Sequence, residues 1–548
     1  MASPWVKALL ICAGFAALYL FIAGSSTLWD RDEPRYARVT AEMVESGNYL
    51  VPTFNGQAWF DKPILLYWLM SVPVRILGPT EFACRFAGVI GTAITLLLTF
   101  FIGKKLFDGK VGLWAEAILG TTLLMLFVGS SALVDGIALP FIVGAMAIFI
   151  GRQENKIRVI DACAIGVFIG LGMLAKGPLG LLPVFVMIVV IWFGRKNIGD
   201  FIRNFLWVCL AVVIAVGIFS LWAIPANRAA DGELFRVFFG KHIVGRALSP
   251  MEGHGGNFLL YLPYYPAIMV AGFFPWVIFL PGAFSASLGK RIGNAWTRNI
   301  LLSWIVVTVM LMTIAATKLP HYILFAWPAM AVMTGAAIVA SGQNVLNERD
   351  RKWLRGGVWF LGPVGLGIAA GLIGVGHFIK SEVLVVPGLI CGIIALVMTI
   401  ICCYLQIREK FNGTAKVVFA SVLVLIIPLL FVLLPAVESI KISPHIAKAI
   451  REKTGKEVPV AMYKYAEPTL NFYVGRNIMH LRKTDDAVEW LKGANDHVLI
   501  IPRKDFEDIR QNAGDITFEE IASKKGINYS KGKEVEVIAL LVKTQTMQ

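Results

Sequence analysis

Apolar runs of about 20 residues recur along the chain almost to position 437, where short apolar stretches begin to alternate with charged ones. A run of that length spans the hydrocarbon core of a bilayer as a helix. The pattern predicts about thirteen membrane helices, over 6–24, 83–103, 111–129, 133–151, 159–175, 178–194, 204–224, 263–283, 300–316, 321–340, 357–377, 383–404 and 416–437. The first run follows Lys7 and could be a signal peptide, but it is longer than a usual signal core and reads as an uncleaved helix. Beyond 437 the period changes. Segments 458–465, 478–481, 497–502 and 535–542 read as strands, and 485–492 and 506–512 as helices, the mark of a small α/β domain. The expected architecture is a polytopic α-helical membrane protein. Its membrane domain, 1–437, carries long outer loops at about 25–82 and 225–262, and an α/β domain follows at 438–548.

Composition agrees. Of 548 residues 57% are hydrophobic and only 16% charged, which excludes a disordered chain and an ordinary soluble enzyme. The net charge of +15 is concentrated in the membrane part, with 33 Lys and Arg against 20 Asp and Glu through Val437 and 18 against 16 beyond it. A nearly balanced tail without a basic stripe argues against nucleic-acid binding. All 7 cysteines lie in or beside apolar runs, so the tail has neither a disulfide framework nor zinc spacing. Alternate loops are basic, from Lys104-Lys105 through Arg152, Arg195, Arg291 and Arg349 to Arg408. Basic loops stay in the cytoplasm. An odd number of spans then puts the N-terminus inside and the tail outside, together with the two long loops.

The outer face holds the chemistry. The first loop begins Trp29-Asp30-Arg31-Asp32-Glu33-Pro34-Arg35-Tyr36-Ala37. Such a cluster can be a solvated set of weak ion pairs, yet Pro34 fits the first turn of a helix opened by acidic residues. Residues 35–49 can then lie in the membrane interface, with Tyr36, Val39 and Met43 apolar and Arg38, Glu42 and Glu45 polar, holding Asp32 and Glu33 at headgroup depth. Further on, Trp59-Phe60-Asp61-Lys62-Pro63 sets an ion pair among aromatic residues. Lys62 can snorkel there or meet a phosphate as a point charge. Asp135 opens a span after Ser130 and Ser131 and serves either as a helix cap or in a site. Lys241, His242 and Arg246, and the run Thr317-Lys318-Leu319-Pro320-His321-Tyr322, add cations and imidazoles. A lone His is commonly just hydrogen-bonded. Lys and His grouped with carboxylates at one face suit an anionic substrate, with or without a divalent metal.

The segments Asp-Arg-Asp-Glu-Pro-Arg-Tyr-Ala, Phe-Asp-Lys-Pro and Thr-Lys-Leu-Pro-His-Tyr-Ile-Leu resemble those of bacterial lipid A aminoarabinose (4-amino-4-deoxy-L-arabinose) transferases, members of the GT-C glycosyltransferases. The resemblance runs over nearly the whole chain and is less specific for the sugar than for the superfamily. It implies a GT-C fold and transfer of the sugar from undecaprenyl phosphate to lipid A phosphate, with inversion, at the periplasmic side of the inner membrane. By matching segments it implies Asp32, paired with Glu33, and Asp135 as catalytic acids. Lys62, Tyr36, Tyr322 and Arg35 would bind donor phosphate or lipid, and Lys241, Arg246, Lys318 and His321 an acceptor or anion. A divalent metal remains an open expectation at Asp61, where relatives often have Glu, and His242; no organic cofactor is expected. Expected partners are the lipid-linked donor, lipid A or another periplasmic acceptor and membrane lipids, in a chain that could be monomeric. The alternatives are a GT-C enzyme using another sugar or acceptor, and a lipid or sugar transporter. The transporter is disfavoured because no charged path crosses the midplane.

Overall fold

The computed structural model describes residues 3–152, 157–245, 261–343, 345–493, 496–513, 516–528 and 532–543. Among them, ten helices are long and apolar enough to cross a membrane, and twelve if two bent pairs are each one crossing. The first ten helices are α1 Pro4–Gly24, α2 Asp32–Ser46, α3 Leu65–Leu77, α4 Glu81–Leu106, α5 Gly109–Gly120, α6 Leu123–Gly129, α7 Val134–Gly151, α8 Val159–Lys176, α9 Leu182–Gly194 and α10 Ile198–Ala229.

The sequence pattern divides one of those long stretches, Val159–Gly194, into two crossings. Packing supports the division. Arg152 at the end of α7 bonds Asp161 at the start of α8 at 2.7 Å, while Lys176 at the end of α8 pairs with Asp135 at the start of α7. The two helices are therefore antiparallel. The chain then turns back through Gly177, at φ +63°, and a Cβ on Gly180 would stand 2.3 Å from the Met173 nitrogen. Trp222, near the end of α10, donates its indole N–H to Leu50 in the first loop at 3.0 Å. For α10 to arrive there, α9 must have carried the chain back across, and this crossing separates thirteen from twelve.

Two crossings are broken, α5 with α6 by 69° and Tyr264–Gly272 with Trp276–Leu288 by 109°. Backbone groups freed inside a membrane need partners within the protein. Here the breaks serve each other. Leu123 N–H donates to the Phe274 carbonyl at 2.9 Å, and the Trp276 indole donates to Thr121 Oγ1 at 2.8 Å.

The first loop builds α2, a hairpin of β1 Thr53–Phe54 and β2 Gln57–Ala58, and then α3. Asn55 and Gly56 form the hairpin turn at φ +56° and +77°, the two-residue Asn-Gly solution for antiparallel strands. Glu42 on α2 holds this turn through Thr53 Oγ1 at 2.8 Å and Asn55 N–H at 2.7 Å.

The last membrane stretch ends at Ser439. The chain continues into helix Ser443–Lys453 and β3 Val460–Tyr463, β4 Ile478–Leu481, β5 His497–Pro502, β6 Phe518–Asn528 and β7 Lys533–Val542. The sheet order is β4-β3-β5-β7-β6, parallel among β4, β3 and β5 and antiparallel through β7 and β6. β5 is buried along its whole length, as suits a strand covered on both faces. β6 was not legible, because its residues Glu519, Glu520, Lys524 and Lys525 make a polar edge strand.

One expectation changes. α2 has no free amphipathic surface, because residues on both its faces are buried within the protein, including Arg38 and Glu42. Arg38 is neutralised within the helix by Glu42 at 2.9 Å and Glu45 at 3.1 Å, and helix Pro468–Val474 of the tail packs over it.

Candidate active site

α2 begins at Asp32, and the residue after it fixes its place. Both oxygens of Glu33 are occupied. Oε1 accepts from Arg85 Nε at 2.9 Å and the Ala132 N–H at 2.5 Å; Oε2 accepts from Arg85 Nη2 at 2.7 Å and the Trp29 N–H at 2.9 Å. Arg85, from the first turns of α4, also donates to the carbonyls of Ala23, Ser26 and Thr27. Burial opposes charge on Glu33, but the Arg85 guanidinium and the hydrogen bonds outweigh it and hold the carboxyl below its usual range. Glu33 thus ties α1, α2, α4 and the turn before α7 together and has no oxygen left for a substrate. It positions its neighbour Asp32.

The expected residues converge, together with Lys176, from five segments. α2 brings Asp32, Arg35 and Tyr36; the turn before α3 brings Asp61 and Lys62; α7 brings Asp135. α8 ends in Lys176, and the turn at Pro320 brings His321 and Tyr322. Asp61 and Lys62 pair at 2.8 Å, with the ammonium 5.6 Å from the Tyr36 ring centre. Asp135 pairs with Lys176 and has His321 Nε2 at 3.8 Å. The Lys176 ammonium stands 4.9 Å from the Tyr322 ring centre. The two halves are electrostatically joined, since Lys62 acts on Asp135 and His321, and Asp32 acts on Lys176 and His321. Burial, then the nearby Asp32 and Asp61, push the Tyr36 phenol well above its ordinary range, so it stays a hydrogen-bond donor. Among the three aspartates, Asp32 is open, its side chain 39% exposed against 8% for Asp61 and 1% for Asp135. Its neighbour Arg35 approaches it at 3.8 Å.

The sequence pattern does not mark Lys176 as a site residue. The available signal was a lysine kept at the outer end of an apolar span, where an ionisable residue is functional by default. Arg85 carried the same signal.

Other expected residues lie elsewhere. Lys318 turns its ammonium to the carbonyls of Met312, Thr313 and Ala315, at the end of helix Ala295–Ile314, and caps that helix instead of facing an anion. Arg246 and the side chains of Lys241 and His242 lie outside the described residues. Among the described residues no group of three or more His, Cys, Asp or Glu is arranged to hold a metal. Each site aspartate instead opposes its own cation: Asp32 with Arg35, Asp61 with Lys62, Asp135 with Lys176.

The family model for dolichyl-phosphate-mannose-protein mannosyltransferases matches residues 61–223, the segment that carries Lys62, Asp135 and Lys176. An undecaprenyl phosphate-α-4-amino-4-deoxy-L-arabinose arabinosyl transferase of Pectobacterium atrosepticum is 30% identical, over 71% of this chain and 70% of its own. The chain belongs to this arabinosyl transferase family. A relative of the same name from Pectobacterium carotovorum is also 30% identical, over 70% and 69% of the two chains. The crystal structure of ArnT from Cupriavidus metallidurans bound to undecaprenyl phosphate has a TM-score of 0.77 at 18% identity, covering 99% of this chain and 98% of its own. The arabinosyl transferase fold is therefore shared from end to end, the tail sheet included.

Proposed function

We propose that this member of the arabinosyl transferase family moves 4-amino-4-deoxy-L-arabinose from undecaprenyl phosphate to a phosphate of lipid A. The observation that carries the reading is the convergence of two ammonium groups, Lys62 and Lys176, with an accessible carboxylate, Asp32, at one end of the helix bundle. The opposite ends carry the basic loops, which are cytoplasmic by charge. The site and tail then face the periplasm across the bacterial inner membrane.

In the proposed step the bond from sugar C1 to the donor phosphate oxygen breaks, and that oxygen keeps the electron pair. Lys62, backed by Lys176, stabilises the charge that grows on the departing phosphate. An acceptor phosphate oxygen attacks C1 from the opposite side, which inverts the anomeric centre. A phosphate is already ionised and needs little general-base help. Asp32 instead stabilises positive charge developing at C1 and orients the acceptor. Asp135 holds Lys176 in place, and Tyr36 and Tyr322 wall the two ammonium groups.

The test is transfer by purified protein, given lipid A and defined polyprenyl-phosphate sugars, with and without a chelator. The expected result is product from the aminoarabinose donor alone, undiminished by chelation. Product only from a different sugar would overturn the substrate, and activity lost on chelation and restored by one divalent ion would overturn the metal-free step.

A further inference from the structure

A cavity of about 920 Å³ lies beside the site, lined at one end by Arg35 and Asp61 and at the other by His480, Arg482 and Trp490 of the tail. The far wall is β4, the edge strand of the tail sheet, which carries His480, with Arg482 immediately after its last residue, Leu481. This wall is fixed to the catalytic loop. Asn55, in the hairpin turn, accepts from the Ile478 N–H at 2.7 Å and donates to the Ile478 carbonyl at 2.9 Å. The same turn is held by Glu42 of α2, the helix that carries Asp32 and Arg35. An edge strand exposes ladder groups that invite pairing; here Asn55 takes them up and sets β4 at a defined distance from the site.

The chemistry of the lining suits an anion. Arg35 and Arg482 are cationic. His480 is held below its ordinary range by burial and by the neighbouring Arg482 guanidinium. The buried indole N–H of Trp490 has no hydrogen-bond partner among the described residues. Asp61, the carboxylate in the lining, is paired with Lys62. A guanidinium grips phosphate oxygens two at a time.

We propose that this cavity receives the phosphorylated headgroup of the acceptor, with Arg482 and His480 of the tail as its binding residues and Arg35 holding the phosphate at the edge of the site. The assignment rests on the transferase reading above and gives the tail domain a role in acceptor recognition. In the step proposed above, the donor phosphate meets Lys62 and Lys176 of the membrane domain instead.

The test is a kinetic and binding comparison of the full-length wild type with the double variant His480→Ala/Arg482→Gln and with Arg482→Lys. Both positions are exposed, so folding is not at stake. The double variant should raise the acceptor KM about tenfold, the cost of one lost charge-assisted contact, leave the donor KM within about twofold, and flatten the dependence of acceptor KM on salt. Arg482→Lys should keep most of the affinity. An unchanged acceptor KM, or a raised donor KM, overturns the proposal while the transferase reading stands. Binding of purified lipid A without donor separates the two claims. Wild-type binding that needs the lipid A phosphates and is lost in the double variant supports the cavity even if no sugar is transferred; equal binding of dephosphorylated lipid A overturns it.

Discussion

Asp30 stands two residues before the open carboxylate of the site, and its surroundings oppose its charge. Burial, then the Glu467 carboxylate, push it up to about 8, against the pull of the Thr469 N–H, Lys441 and Arg35. Its oxygens accept from the Thr469 N–H at 3.0 Å and from the Thr469 hydroxyl. Between an unfolded value of about 3.9 and about 8, the folded chain keeps a proton that the unfolded chain has released. Stability from this group therefore falls as pH rises through that window. The melting temperature of the purified protein should drop from pH 5 to about pH 8.5, and Asp30→Asn should flatten the slope; parallel slopes would contradict the assignment. Lys176 gives a second prediction. It and Asp135 are both buried, so Lys176→Met strands a carboxylate and should cost about 3–5 kcal/mol. Lys176→Met/Asp135→Asn should recover most of that stability but not the transfer rate. Recovered rate would remove Lys176 from the proposed phosphate site. The sequence made Asp32, Lys62 and Asp135 stand out because each is a charge in an apolar setting. It hid Lys176 and Arg85 because their partners are 41 and 52 residues away, and one residue of a buried pair looks like a span-end lysine or arginine until the other is placed beside it.

At the scale of elements, the site depends on how closely α4 and α7 approach. A Cβ on Gly91 of α4 would stand 2.2 Å from the Gly136 carbonyl of α7, a backbone contact of the kind small residues permit between membrane helices. α4 carries Arg85 and α7 carries Asp135, so the spacing sets the distance between the anchor of Glu33 and the Lys176 pair. Gly91→Leu should lower both melting temperature and transfer rate, whereas Gly14→Leu, with no atom within 4 Å of its added Cβ, should change neither. Equal effects at the two positions would contradict the packing argument. Hydropathy revealed the crossings because their length is set by the bilayer. It did not reveal the breaks at Thr121 and Phe274, where each broken helix satisfies the other, nor the burial of α2, whose polar face is neutralised by its own Arg38–Glu42 pair.

At the scale of the whole molecule, the tail is joined to the first loop along its length. Thr27 bonds Glu438, the Leu28 N–H donates to Tyr473, Asp30 receives Thr469 and Asn55 holds Ile478. These contacts bridge more than 400 residues of sequence, so composition announced a separate α/β segment but not its place against the catalytic loop. In the proposed assembly the donor site in the membrane domain stands beside the cavity that Arg35 and Asp61 share with His480 and Arg482 of the tail. The most direct test of the proposed transfer is mass spectrometry of lipid A from a bacterial strain that makes the aminoarabinose donor, lacks its own transferase and expresses this chain. The account predicts lipid A carrying added aminoarabinose, and its loss with Asp32→Asn or Lys62→Ala at equal protein level. Unmodified lipid A with folded wild-type protein, or modification that persists in both variants, would contradict it.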